Sequence, residues 1–127
     1  MLGYVTIGTR DLPRAVKFYD AIAKEMDTPR LMEFETFIAW QKPDGPPGIA
    51  VTLPYDKKPA SVGNGMMVAF AAGSRASVDA LHAKALALGG TCEGKPGLRG
   101  PDGPQAFYGA YFRDLDGNKL CAFHVGA

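Results

Sequence analysis

The segment "KLCAFHV", residues 119–125, holds one of the chain's two thiols and one of its two imidazoles. A nucleophilic Cys121 needs a nearby cation or imidazole to lower its pKa. On a strand, His124 lies three residues along and projects from the opposite face, so it cannot serve. The simpler reading makes Cys121 a small buried hydrophobe and His124 a strand-end residue. His82 falls in a helical stretch, where a half-exposed surface histidine is the plain expectation. Tyr4 offers a phenol that could hydrogen-bond a ligand or polarise a carbonyl, or simply fill space. Arg99, inside the glycine-rich "GLRGPDGP", could anchor an anion from a flap, although an exposed loop arginine needs no such role. The same segment has neither a phosphate-loop lysine nor a following helix. "DLDGN" at Asp114–Asn118 resembles the opening of a calcium loop, but Val125 stands where the twelfth-position Glu belongs. It reads as a hairpin turn.

These groups sit in a chain of 127 residues, enough for one ordinary domain with a real core. Fourteen basic residues against thirteen acidic ones leave a formal charge of +1, with the cations dispersed. That leaves no footprint for a nucleic-acid backbone. No apolar run reaches the roughly 18 residues of a membrane span, and no signal-peptide pattern opens the chain. Two cysteines make no disulfide framework, and they read as free thiols of a cytoplasmic protein. Sixteen glycines and ten prolines point to a sheet protein with many turns.

The elements that must position these side chains come in two similar sets. A shift of 63 residues lays "YVTIGTRDLPRAVKFYDAI" over "MVAFAAGSRASVDALHAKA". Each half opens with a short apolar strand, crosses a small-residue turn and enters an amphipathic helix. Asp11 and Ser74 coincide as N-caps, and Pro13 suits a first helical turn. Ala15, Phe18, Ile22 and Met26 mark the buried stripe of one helix; Val78, Leu81, Ala85 and Leu88 mark the other. Gly89-Gly90 ends the second. The period then falls towards 2 through "RLMEFE", "TFIAWQ" and "GIAVTL", and later through "TCEGKP", "AFYGAYF" and "KLCAFHV". Each half therefore reads as strand, helix and three strands.

Strand phase sorts the faces. Val5 and Ile7 belong under the first helix, leaving Tyr4 and Thr6 on the open side. The shift places Val68 and Phe70 under the second helix with Met66, so Met67 becomes the open-side partner of Tyr4. Alternation sends some of Phe37, Trp40, Phe107, Tyr108 and Tyr111 to the open side. Trp40, Phe107 and Tyr111 are taken as ligand-facing, which makes the site apolar and aromatic.

The stretches "GYVTIGTRDLPRAVKFYDAI", "GNGMMVAFAAGSRASVDALHAKALALGG" and "YFRDLDGNKLCAF" resemble the glyoxalase/bleomycin-resistance/extradiol-dioxygenase (vicinal oxygen chelate) superfamily. The resemblance implies an α+β fold in one domain, residues 1–127. Two βαβββ modules, about 1–63 and 64–127, would form a cupped eight-stranded mixed sheet with helices on the outer face. It also implies a homodimer. Enzymes of the family hold a divalent metal with His on the first and fifth strands and Glu on the eighth. Those positions fall on Tyr4, Met67 and Cys121, and "GIAVTL" offers no carboxylate for the fourth strand. A phenol, a thioether and a thiol do not suit a hard or borderline divalent ion.

The leading expectation is a metal-independent protein, without cofactor, that binds a small, largely apolar or aromatic molecule. Its ligand-facing set is Tyr4, Met67, Cys121, Trp40, Phe107, Tyr111 and Arg99, with Tyr4 and Cys121 as the candidate catalytic groups. One rival is a lyase, isomerase or dioxygenase using metal on other ligands, for which Glu33 and Glu35 are the available carboxylates. A second is drug sequestration of the bleomycin-resistance type, which a near-neutral chain without an acidic cluster favours less. A third is a structural dimer whose cup is filled by its own side chains.

Overall fold

Asp11 and Ser74 set the two helices. In the computed structural model, which describes Met1–Ala127, each has extended backbone, and its side chain accepts from the N–H three residues on. Helix α1 (Leu12–Glu25) carries Pro13 in its first turn and buries Leu12, Ala15, Phe18, Tyr19, Ile22 and Ala23. Helix α2 (Arg75–Ala87) buries Val78, Leu81, His82 and Ala85. It stops where Gly89 turns to a φ of 98°, a left-handed conformation that glycine takes without steric cost.

Around them lie eight strands in two four-stranded sheets. The chain divides into two compact units, Met1–Gly63 and Asn64–Ala127. In the first, β1 (Tyr4–Gly8) runs parallel to β4 (Gly48–Thr52), which pairs antiparallel with β3 (Phe37–Gln41), and β3 with β2 (Arg30–Phe34). In the second, β5 (Val68–Ala71) runs parallel to β8 (Lys119–Val125), followed by β7 (Phe107–Arg113) and β6 (Thr91–Leu98). Both units are βαβββ modules with the same strand order, and both sheets are open rather than closed into barrels. No helix is long and apolar enough to cross a membrane.

Register fixes the faces, since cross-strand partners share a side. Ile7 pairs with Val51, and Val51 with Ile38; all three are buried on the helix side. Phe70 pairs with Ala122, and Ala122 with Ala110, again buried on the helix side. The other face carries Tyr4 in the first sheet, and Phe107, Tyr111 and Cys121 in the second.

The methionine pair departs from the sequence expectation. Strand β5 begins at Val68, and its ladder to β8 begins at the Val68–Leu120 pair. Strand β8 itself starts only at Lys119, straight after the Asp114–Asn118 turn, so residues before Val68 have little partner backbone to join. Met66 and Met67 both precede the strand, and both are exposed.

Candidate functional site

On the open face of the first sheet, Tyr4 pairs with Gly48 and Gly48 with Gln41; Phe37 pairs with both Thr52 and Phe34, and Met32 with Ala39. Glycine and alanine in the middle of this face leave a floor between larger side chains. Tyr4 meets Phe37 edge-on at 6.5 Å between ring centroids, and Phe34 lies 6.3 Å from Phe37. The cavity over this floor measures about 380 Å³ and is lined by Tyr4, Met32, Phe34, Phe37 and Ala39 among others. Its lining includes no carboxylate and no imidazole. Phe37 also borders a wider cavity of about 1090 Å³, where Thr6 and Thr52 face Tyr55, Lys57 and Lys58 of the following segment. The face thus grades from aromatic at Tyr4 to polar and cationic near Lys58. Large apolar side chains are normally withdrawn from water, yet Tyr4 is 65% exposed and Phe34 62%.

Trp40 does not share that face by its ring. It is 1% exposed, lies 6.0 Å from Tyr19 of α1, and donates its Nε1–H to Asp20 Oδ1 at 2.9 Å. Asp20 also accepts two bonds from Arg30, and the Arg30 bond is the main reason its carboxyl is held below the usual range. Glu33 pairs with Ile38, which turns it to the helix side, and its carboxylate is taken by Arg30. Glu35 is exposed in the turn after β2. Neither carboxylate joins the aromatic floor.

On the open face of the second sheet, Tyr111 pairs with Cys121, and Cys121 with Ala69. Phe107 folds back over Gly109, where an added Cβ would come within 2.7 Å of its ring, and stacks on Phe123 at 5.4 Å. Arg99 reaches back across β6 to the bare backbone of Gly94 and Gly97. Its guanidinium donates to Gly97 O at 3.0 Å and Lys95 O at 2.7 Å. A Cβ at Gly94 would sit 3.2 Å from Nη2, so glycine is what lets the cation lie flat here. From that position Arg99 stands 5.5 Å from the Tyr111 ring centre, and Lys119 stands 5.7 Å from it. Arg99 forms no ion pair with a carboxylate and Lys119 acts on Glu93 only through its field; both bear on Tyr111. The flap expected at 97–104 is tied down as well, by a 2.6 Å ion pair between Asp102 and Arg75 of α2.

Cys121 therefore has the neighbouring cations that sequence alone could not name. Burial still wins: it pushes the thiol up, against the opposing pull of Tyr111, Arg99 and Lys119. At 1% exposure, Cys121 should alkylate with iodoacetamide at neutral pH far more slowly than exposed Cys92, and the two should converge in urea. Peptide mapping of the labelled protein checks this. His124 faces the helix side and bonds Ala72 O through Nδ1. His82 is not half-exposed as expected; at 6% it is buried, because α2 turns it onto Phe112.

The sequence profile of the glyoxalase/bleomycin resistance protein/dioxygenase superfamily matches residues 1–122. The chain belongs to that superfamily. A crystal structure of a glyoxalase/bleomycin resistance protein from Albidiferax ferrireducens T118 is 38% identical over 98% of each chain, with a TM-score of 0.86. More distant likenesses support the fold alone. One is a glyoxalase/bleomycin resistance protein/dioxygenase family enzyme from Burkholderia phytofirmans PsJN, at 19% identity, 97% of each chain and TM-score 0.70. Another is a glyoxalase-related enzyme from Fulvimarina pelagi, at 19% identity, 98% of this chain and 87% of that one, TM-score 0.70. No curated protein matches.

Superfamily membership raises the question of a metal. The positions at which the resemblance puts its ligands hold Tyr4, exposed on β1, Met67, exposed ahead of β5, and Cys121, buried on β8 where burial raises the thiol pKa. Open-face positions of β4 are Gly48, Ala50 and Thr52. Nowhere do three His, Cys, Asp or Glu side chains gather as a metal-binding group. This donor set does not fit the divalent ion of the superfamily's enzymes.

Proposed function

We propose that this member of the superfamily is a metal-independent small-molecule-binding protein whose ligand is largely apolar or aromatic. The observation that carries the reading is the floor of Tyr4, Phe34 and Phe37 around a 380 Å³ cavity with neither carboxylate nor imidazole in its lining. That volume lies in the range of small-molecule pockets, and exposed aromatics are the contacts such ligands use. On the second sheet, Tyr111, Phe107 and Arg99 form the corresponding ligand face, with Met67 at the approach to β5 and Cys121 beside Tyr111 on the neighbouring strand. Trp40 supports the first face from behind. Arg99, which forms no ion pair with a carboxylate, favours a ligand bearing an acidic group over a cationic drug, and Lys119 adds to it although its charge is shared with Glu93. The same charge argues against sequestration of the bleomycin type. We read the working form as a cytoplasmic homodimer, on the family resemblance and the free thiols.

A thermal-shift panel of aromatic and aliphatic carboxylates, each with its neutral amide counterpart, tests the reading. A ligand at 100 times its Kd stabilises the native state by about 2.7 kcal/mol, a shift of several degrees. At least one aromatic acid should raise the melting temperature with and without chelator, and Phe34→Ala should abolish the shift. A panel that is silent throughout, with a melting temperature lowered by chelator, would point back to a metal enzyme.

A further inference from the structure

His82 and Cys92 meet on the helix side of the second sheet, away from the open face. Strand β6 is the sheet edge, and Cys92 on it pairs with Phe112 of β7. His82 projects from α2 onto the same spot, its ring edge-on to Phe112 at 6.2 Å. Its Nε2 lies 3.3 Å from Cys92 Sγ. The two residues differ sharply in access: the imidazole is buried, whereas the cysteine is exposed. An imidazole nitrogen is thus fixed behind a sulfur whose front is open to solvent.

We infer that Cys92 is a histidine-assisted nucleophilic thiol, a site of mixed-disulfide formation with small disulfides. The acceptor role requires a neutral imidazole with its proton on Nδ1. Burial favours that form by lowering the His82 pKa, and the charge of Asp79 opposes it only in part. As Sγ attacks one sulfur of the disulfide, its proton passes to Nε2. The new Sγ–S bond forms while the S–S bond breaks, and the departing thiolate recovers the proton from His82. The disulfide is the oxidant, and one equivalent of free thiol is released per adduct. Cys121 lacks this arrangement and serves as the internal reference, being buried with no imidazole beside it.

A positioned base contributes typically about 10²–10⁴-fold, and about tenfold, below that range, is the effect expected at this solvent-exposed sulfur. The experiment incubates the full-length protein with oxidised glutathione and follows each cysteine by peptide mass spectrometry. A synthetic peptide of residues 89–96 supplies the unassisted rate. Cys92 should react about ten times faster than the peptide, and Cys121 not measurably. His82→Phe, shown folded by its cooperative melt, should bring Cys92 down to the peptide rate. His82→Gln provides a second variant, and the peptide comparison stands even if neither variant folds. A native rate no faster than the peptide's would overturn the inference, as would an unchanged rate in a folded variant.

Discussion

Trp40→Ala is expected to destabilise the protein by about 3–5 kcal/mol, the range for removing a buried tryptophan. The indole is nearly inaccessible, packs on Tyr19, and bonds Asp20 from the sheet side. Its removal leaves a cavity between β3 and α1 and exposes the back of the aromatic floor. Trp40→Phe keeps most of the packing and loses one hydrogen bond to a partly solvated carboxylate, a cost of about 1 kcal/mol. Chemical denaturation of the two variants separates these contributions. Acid should erode the same region. Asp20 is held below its ordinary pKa, so its contribution is present above the unfolded carboxyl's value near 4 and disappears as pH falls through the folded one. If Trp40→Ala melted like the native protein, the ring would not be the strut described here.

Asp114→Ala is the second large effect, about 3 kcal/mol for a buried carboxylate that several donors share. Asp114 Oδ1 accepts from the backbone N–H groups of Asp116 and Asn118, and Oδ2 from Asn118 Nδ2, all at 2.9 Å. Those bonds close the turn that delivers Lys119 and Cys121 to the open face. The loss should lower the melting temperature by roughly 10 °C. Asp114→Asn retains one acceptor oxygen and should recover part of it. Equal melting temperatures for native protein and Asp114→Ala would leave the turn to its backbone alone.

The repeat made the architecture legible in the sequence. The matched caps Asp11 and Ser74, and the switch from helical to alternating period, anticipated both βαβββ modules. Faces were harder to read. "FIAWQ" is apolar on both sides, so alternation alone could not tell which of Phe37 and Trp40 lies under α1; the Asp20 bond settles it. Strand β2 carries an irregularity between Arg30 and Met32, which breaks the alternation that would have marked Met32 and Phe34 as open-face residues. The start of β5 depended on where its partner strand begins, a long-range fact invisible in "NGMMVAFA". For Arg99, the signal was the glycines rather than the arginine. Gly94 and Gly97 clear the path that lets it reach Tyr111. The His82–Cys92 contact joins a helix to an edge strand ten residues on, a spacing that carries no motif.

Metal content tests the proposal of a metal-independent ligand-binding protein most directly. Untagged protein, purified without chelator, would be incubated with zinc, nickel, manganese and iron(II), desalted, and submitted to elemental analysis. Tyr4, Met67 and Cys121 predict only trace metal in every case. Close to one equivalent of any of these ions per chain would contradict the account and return the protein to the metal enzymes of its family.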